Sequence, residues 1–253
     1  MIKILDTREL KPLEEVNLDE VDLSGGISVF LPAYNEEENI ERAVNESVEV
    51  LSSITDNYEV LIVDDASTDR TGEIADALSA QNPHVRVIHH QTNTRLGGAM
   101  RTGFFRSEKS IVFYCDADNP VNMWDVKRSL EYIKDYDLVT GYRLNRSETL
   151  KRKIYSRVYN FIIGRLFGFK AIDVNFSFKL VRREALNKIE LHSDGGFIDA
   201  EFISEIVRHG FRICQVGVKY YPREAGVSTM ASLSVIFEII REMRAYLRRI
   251  KNG

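Results

Sequence analysis

YEVLIVDDASTDRT, residues 58–71, joins an apolar β-strand to two aspartates and then to the start of a helix. An apolar run of this length predicts a buried strand, and Asp, Ser and Thr in the next loop are typical of a helix start. The same unit precedes it in the chain. Ile27–Leu31 is an apolar run closed by a proline, and apolar residues then repeat at helical spacing over 40–51. Asn35 and Glu38 have the spacing of a helix capping box.

The unit repeats once more downstream. Val85–Ile88 predicts a strand, residues 97–107 a helix, and Ile111–Cys115 another strand that ends at Asp116. This alternation predicts an α/β fold with a mostly parallel sheet flanked by helices. Ligands of such sheets bind beyond the carboxyl ends of the strands, so we expect the polar strand ends to share one site.

The pattern is looser beyond residue 137. The further elements expected there are strands at 137–140, 176–181 and 212–221, and helices at 150–167, from 199, and at 232–250. We divide the chain into an acidic, loosely held N-terminal extension (1–24), a main domain (25–230) and a C-terminal amphipathic helix (231–253). With 253 residues and 44% hydrophobic residues, the chain can bury one full-sized core.

Composition excludes several classes of protein. A net charge of -4 and a pI near 5.8 give no overall basic footprint of the kind expected for nucleic-acid binding. Cys115 and Cys214 lie in apolar runs without metal-ligand or redox spacing, so we expect both in the core. There is no signal-peptide pattern and no uncharged apolar stretch of ~18 residues, which predicts a cytoplasmic location.

Asp116-Ala117-Asp118 is the first candidate for chemistry. Two carboxylates flanking one residue at a strand end can hold a hard divalent cation that also binds a diphosphate. A second Asp-x-Asp sequence, Asp135-Tyr136-Asp137, is interpreted as a solvated turn. Only the first follows an unbroken apolar strand on the expected ligand edge.

Asp64 and Asp65 form a second acidic strand end. Helix capping explains the nearby Asp69. Two successive carboxylates repel each other and need donors or a cation, so we expect Asp65 to bind ligand. His89 and His90, adjacent at another strand end, are interpreted as structural or solvated.

Taken together, these stretches resemble a known family. Pro32-Ala33-Tyr34-Asn35-Glu36, residues 63–71 and Asp116-Ala117-Asp118 have the order and spacing of the family-2 glycosyltransferases of the GT-A fold. The resemblance covers about residues 27–230. It is closest to the branch of dolichyl-phosphate mannose synthase and the polyprenyl-phosphate glycosyltransferases.

The resemblance implies a nucleotide-sugar site, a metal site and an acceptor site. The implied nucleotide-sugar residues are Pro32, Tyr34, Glu36, Val63, Asp65, Asp116, Ala117, Asp118 and Arg223. Asp116 and Asp118 would also hold Mg²⁺ or Mn²⁺, which would stabilise the charge that develops on the leaving nucleoside diphosphate. Arg143 falls where related enzymes place an arginine near the acceptor phosphate, a task that suits its planar fork. A solvated surface position is the alternative for both Arg143 and Arg223.

Two segments depart from the branch. Asn119-Pro120-Val121 stands where Leu-Gln-His is common, so a glutamine ligand is missing and the metal geometry is open. Residues 175–179 only approximate the branch's Ser-Gly-Phe-Arg-like segment. Sugar and acceptor can therefore both differ.

The acceptor decides whether the reaction needs a base. Asp199 or Glu201 has the position of a base for a hydroxyl acceptor. A lipid monophosphate is already mostly ionised and needs only to be positioned. First-turn helix charges stabilised by the helix dipole explain the two acids equally well. The candidate catalytic residues are thus Asp118, Arg143 and Asp199.

Two segments are amphipathic. Residues 143–170 hold eight basic residues and one acidic residue among apolar ones. This predicts either a helix packed on the sheet or, as we favour, a surface that meets anionic lipid and captures a lipid phosphate. Apolar residues over 233–250 repeat at spacings of three and four, and packing on the body or on a partner helix is expected. A homodimer seam and an in-plane membrane anchor stay open.

We therefore expect an inverting hexosyltransferase that uses a donor of the GDP-mannose or UDP-glucose type and a polyprenyl or dolichyl phosphate acceptor. Association with the inner face of the membrane is a further expectation. The alternatives are the same fold glycosylating a hydroxyl of a glycan or protein, and a non-catalytic nucleotide-sugar-binding subunit. A dinucleotide-dependent oxidoreductase is disfavoured because no Gly-x-Gly-x-x-Gly loop follows the first strand.

Overall fold

The computed structural model describes residues 3–118, 121–145, 150–221 and 233–252. The strands in these ranges are β1 (Lys3–Ile4), β2 (Asp6–Arg8), β3 (Ile27–Ala33), β4 (Tyr58–Asp64), β5 (Val85–His89), β6 (Ile111–Tyr114), β7 (Leu138–Arg143), β8 (Phe169–Lys170), β9 (Lys179–Arg182) and β10 (Ile213–Val218). The α-helices are α1 (Ile40–Ser52), α2 (Thr71–Gln81), α3 (Arg95–Arg106), α4 (Trp124–Ile133), α5 (Leu150–Phe167), α6 (Arg183–Leu186), α7 (Ile198–Arg208) and α8 (Leu233–Asn252).

The main sheet has the strand order β2-β10-β7-β9-β6-β3-β4-β5. Its pairs are parallel except those of β9, which is antiparallel to both β6 and β7. Strands β1 and β8 form a separate two-stranded parallel ribbon. The prediction of a mostly parallel α/β sheet is confirmed.

Helices cover both faces of this sheet. Along β4 the side chains alternate, so Val60 and Ile62 join a core with α1, α2 and α4. Leu61 and Val63 join a second core with α3, α7 and α8 on the opposite face. All seven residues of β4 are buried, which explains the apolar run Val60–Val63 at its centre.

The N-terminal segment is part of the fold. Strand β2 pairs with the outer edge of β10, and the Tyr136 hydroxyl donates to Oδ2 of Asp6 (2.7 Å) and accepts from Arg8 (2.8 Å). Leu5 is buried in the second core. The expectation of a loosely held extension is therefore wrong, because the edge of β10 takes these residues as a backbone partner. The domain limits at 25 and 230 stay a prediction.

Some local expectations also differ from the structure. Helix α4 was not expected, because charged residues interrupt its apolar repeat of Val126, Leu130 and Ile133. The predicted capping box is wrong, since α1 begins only at Ile40 and Asn35 turns away in a left-handed conformation. Tyr136 is buried, so the turn around it is not fully solvated.

The C-terminal helix α8 packs on the body of the same chain. Tyr246 is buried in the second core, and its hydroxyl donates to Oε1 of Glu205 on α7 (2.7 Å). A homodimer seam stays a prediction. Both cysteines lie in the core, as expected. Throughout the described ranges, every helix is too short or too polar to cross a bilayer.

Candidate active site

The loops after β3 and β4 form one wall of the site. The Asn35 N–H donates to Oγ of Ser67 (3.0 Å), and Asn35 Oδ1 accepts from the Thr68 N–H (2.8 Å). Asn35 and Ala66 both have positive φ, 56° and 60°. Such conformations in non-glycine residues persist only where surrounding contacts enforce them, and they cluster at functional sites. The Glu36 N–H also donates to Oγ1 of Thr71 (2.8 Å), the first residue of α2.

Three predicted nucleotide-sugar residues belong to this wall. Pro32 and Glu36 are half-buried and Tyr34 is 48% exposed. Their accessible surfaces lie at the carboxyl end of β3, as the sequence indicates. Val63 differs, since the whole residue is buried and its side chain lies in the second core.

Asp64 and Asp69 have structural partners. Asp64 Oδ1 accepts from the Ser67 N–H (3.1 Å), and Oδ2 lies 2.8 Å from Nδ1 of His89. Burial alone would raise the pKa of Asp64, but the bonds from Ser67 and His89 outweigh it and lower the pKa. Asp69 accepts from the N–H and hydroxyl of Thr71 at the start of α2, which gives it a structural role there, although the N-cap residue is Arg70.

Asp65 ties the end of β4 to the start of α3. Its Oδ1 accepts from the N–H and hydroxyl of Thr94 (both 2.7 Å) and lies 2.6 Å from Nδ1 of His90. His89 and His90, at the end of β5, therefore both have structural partners, in line with their interpretation as structural or solvated. These donors explain how two adjacent carboxylates coexist without a cation. The ligand role of Asp65 stays a prediction.

The predicted metal motif, Asp116-Ala117-Asp118, follows β6 and is held at both ends. Asp116 is half-buried, whereas Ala117 and Asp118 are 1% and 8% exposed. The hydroxyl of Tyr114 donates to Asp116 Oδ1 (2.8 Å), and Nη2 of Arg42 donates to the Asp118 carbonyl (3.0 Å). Burial, together with the neighbouring Asp116, raises the pKa of Tyr114 well above its usual value. The phenol therefore stays protonated.

The donor set fits a hard divalent cation bound together with a nucleotide. Asp116 and Asp118 supply carboxylate oxygens, which Mg²⁺ and Mn²⁺ prefer. In the ranges that the structure describes, no cluster of three His, Cys, Asp or Glu side chains could hold a metal ion. Diphosphate oxygens would have to complete the shell, as in many phosphate-dependent magnesium sites. Asn119 and Pro120 lie outside the described residues.

Arg143, the last residue of β7, is fixed in place. Its Nε and Nη2 donate to the two carboxylate oxygens of Asp173 (2.8 and 3.0 Å). The guanidinium carbon lies 5.6 and 5.5 Å from the ring centroids of Phe176 and Tyr220. A solvated surface position is therefore wrong for Arg143. Arg223 lies outside the described residues, so its role stays a prediction.

Asp199, the candidate base, forms a buried ion pair. Its Oδ1 lies 2.5 Å from Nζ of Lys179, and the two residues are 3% and 0% exposed. Lys179 Nζ also donates to the Phe176 carbonyl (2.7 Å) and lies 5.4 Å from the Tyr114 ring centroid. Burial raises the pKa of Asp199, although Lys179 opposes the shift. Lys179 was not predicted as a site residue, and the signal for it in the sequence was a charged residue within a predicted buried strand.

Glu201, the other candidate acid, holds the loop before α7. Its carboxylate accepts from the backbone N–H groups of His192 (3.2 Å) and Ser193 (2.8 Å) and pairs with Arg249 on α8. It is fully buried. These contacts give Glu201 a structural task at the junction of α7 and α8.

A cavity of about 410 Å³ lies beside the metal motif, where sequence analysis indicated nothing. Arg42, which holds the Asp118 carbonyl, is part of its lining. The other lining residues are Glu46, Glu49, Val50, Val121, Asn122, Met123, Trp124 and Tyr221. Asp116 and Asp118 are not among these lining residues, so Arg42 is the link between the cavity and the two aspartates.

Comparison with known proteins agrees with this geometry. Glycosyltransferase AglD of Haloferax volcanii is 31% identical over 207 residues, which cover 78% of this chain and 33% of AglD. Polyprenol monophosphomannose synthase of Mycolicibacterium smegmatis is 29% identical over 220 residues, 82% of each protein. The chain thus spans about a third of the first relative and most of the second.

A solved structure shares the fold. Glucosyl-3-phosphoglycerate synthase from Mycobacterium tuberculosis, in complex with Mn²⁺ and UDP-glucose, superposes with a TM-score of 0.67 at 20% identity. The match covers 96% of this chain and 85% of that one. The family model for glycosyl transferase family 2 matches residues 28–190, more than half of the chain. As the resemblance implied, the protein belongs to glycosyl transferase family 2.

Proposed function

We propose that the protein transfers a hexose from a nucleoside-diphosphate sugar to a polyprenyl phosphate, with inversion at the anomeric carbon. The observation that carries the proposal is the placement of the metal motif and Arg143 at the carboxyl ends of β6 and β7 within one sheet. The name of the Mycolicibacterium smegmatis relative, polyprenol monophosphomannose synthase, supports the acceptor class. Donors of the GDP-mannose and the UDP-glucose type are both compatible with the site.

The donor would lie between the first two loops and the metal motif. Pro32, Tyr34, Glu36 and Asp65 would contact the nucleoside. Asp116 and Asp118 would hold Mg²⁺ or Mn²⁺, which supplies positive charge at the diphosphate as the glycosidic bond breaks. The manganese and UDP-glucose in the glucosyl-3-phosphoglycerate synthase complex support this arrangement.

Arg143 would orient the acceptor phosphate. Asp173 and the flanking aromatic rings hold the guanidinium in one position, so little rotamer freedom would be lost on binding phosphate. A phosphate oxygen is already ionised at neutral pH and attacks the anomeric carbon without transferring a proton. The sugar–phosphate bond forms as the bond to the leaving nucleoside diphosphate breaks.

The state of Asp199 favours a phosphate over a hydroxyl acceptor. A base for a hydroxyl has to reach the proton that it removes. Asp199 is 3% exposed, and its carboxylate is held by the Lys179 ammonium. Transfer to a hydroxyl would need this ion pair to open, whereas transfer to phosphate would leave it intact.

Helix α5 would place the site at a membrane surface. It exposes a broad apolar face beside Arg157 and Arg165. The exposed apolar residues are Ile154, Tyr155, Val158, Phe161, Ile162 and Leu166. Exposed apolar patches of this kind mark interaction sites, and the adjacent cations match the charge of anionic lipid. A polyprenyl acceptor resides in such a membrane. Its inner face stays the predicted location.

The test is transfer from radiolabelled UDP-glucose and GDP-mannose to undecaprenyl phosphate in detergent with Mn²⁺. We expect a lipid-linked monosaccharide from at least one donor and none from the Asp116→Asn variant. Oligosaccharide and peptide acceptors are assayed in parallel. Turnover with those hydroxyl acceptors alone would refute the proposed acceptor, and nucleotide-sugar binding without any turnover would indicate a non-catalytic subunit.

A further inference from the structure

Tyr114, the last residue of β6, carries a hydroxyl at a fixed position. The residue is 1% exposed. Its ring stacks on Phe30 with a centroid distance of 5.2 Å and meets Phe104 edge-on at 6.0 Å. Close packing on several sides holds the side chain in one rotamer, which fixes the hydroxyl oxygen because it lies on the axis of the ring. The hydroxyl therefore points to one place only.

That place is the metal motif. The Tyr114 hydroxyl donates to Oδ1 of Asp116 at 2.8 Å, from a strand that is otherwise apolar. The Lys179 ammonium lies 5.4 Å from the centroid of the same ring and is itself fixed by Asp199. A phenylalanine could fill the same volume, so packing alone does not explain the hydroxyl. The hydrogen bond to Asp116 does.

We propose that Tyr114 is a positioning residue for the divalent cation: its hydroxyl holds the Asp116 carboxylate in the orientation that the cation requires. This inference rests on the proposed function, because it presumes a cation at Asp116. Carboxylates that bind metals are themselves usually hydrogen-bonded, and loss of such a partner typically weakens metal affinity ~10–100-fold. Arg42 fixes the other end of the motif through the Asp118 carbonyl. With only two protein carboxylates in the motif, their orientation matters more than in a site with a full protein shell.

Tyr114→Phe tests the inference, because it removes one oxygen and keeps the packed ring. Tyr136→Phe is the matched control: it removes another buried hydroxyl, one that donates to Asp6 at the far edge of the sheet. Asp116→Asn is the positive control, because it changes a proposed cation ligand directly and should weaken Mn²⁺ binding. Free Mn²⁺ is measured by electron paramagnetic resonance during titration of each protein, with UDP and with GDP. Melting temperatures without metal are recorded for all variants.

We expect Tyr114→Phe to raise the Kd for Mn²⁺ about tenfold or more, while Tyr136→Phe leaves it unchanged. High Mn²⁺ should then restore the turnover of Tyr114→Phe, because the defect lies in metal affinity. Wild-type Kd in Tyr114→Phe together with weak binding in Asp116→Asn would overturn the inference and leave the proposed function standing. A lower melting temperature with an unchanged Kd would likewise overturn it. If the wild-type protein binds no Mn²⁺ with either nucleotide, the metal role in the proposed function fails and this inference fails with it.

Discussion

Asp199→Asn separates a structural role of this carboxylate from a catalytic one. Asp199 and Lys179 are 3% and 0% exposed with 2.5 Å between their charged atoms. Removing one partner of a buried ion pair costs about 3–5 kcal/mol, because the other charge stays buried and uncompensated. The asparagine oxygen can still accept from Lys179, so we expect a loss near the lower limit, ~3 kcal/mol. For a chain of this size that lowers Tm by about 6–12 °C.

Thermal unfolding and turnover with undecaprenyl phosphate are measured on the same preparations. We expect Asp199→Asn to lose stability but to keep turnover within a few-fold at temperatures where it is folded. Lys179→Met should destabilise by a similar amount, since it leaves the carboxylate buried. The double variant is the control. It removes both charges and should recover much of the stability that each single variant loses. Such a recovery would show that the two residues are energetically coupled.

A different result is expected if Asp199 acts as a general base. A general base contributes about 10²–10⁴-fold to the rate. An Asp199→Asn protein that melts like the wild type and loses turnover by such a factor would refute the structural role. It would also favour a hydroxyl acceptor over a phosphate, because only a hydroxyl has a proton for Asp199 to remove.

The remaining predictions concern the membrane surface, a histidine and α8. Phe161→Ser should weaken cosedimentation with vesicles containing anionic lipid about tenfold, because Phe161 is 72% exposed on α5. Phe105→Ser on α3 is the control and should leave cosedimentation unchanged. Equal binding of the Phe161→Ser variant and the wild type would refute the membrane role. The hydrogen bond to Asp64 raises the pKa of His89, although burial opposes it. Protonated His89 therefore stabilises the fold below pH 6.5, and the Tm difference between wild type and His89→Asn should shrink as pH rises through the raised pKa; a constant difference would contradict this. Glu242→Ala removes the acceptor of three backbone N–H groups before α7 and should cost about 1–3 kcal/mol in urea unfolding; an unchanged midpoint would contradict this.

The acidic strand ends illustrate how far the sequence leads. It predicts correctly that 64–65 and 116–118 follow buried parallel strands and face the same edge, since strand ends can be located from local patterns alone. It does not predict which acids serve the fold. Asp64 binds Ser67 in its own loop and His89 on β5. Asp69 binds Thr71 at the start of α2, and Asp65 takes its donors from Thr94 and His90. The sequence alone does not distinguish an acid that binds a ligand from one that binds hydrogen-bond donors of the fold.

The sequence by itself determined the alternation of strands and helices from β3 to β6 and the family, because periodicity, strand ends and short motifs are local properties of the chain. Only the tertiary structure decided the pairing of Lys179 with Asp199, the contact of Tyr114 with Asp116 and the place of β2 on β10. The physical reason is that a periodic pattern reports which side chains are buried, whereas the partner of a buried charge depends on how strands and helices pack. The N-terminal segment shows the same limit, since its acidic composition gave no sign of the β10 edge that it covers.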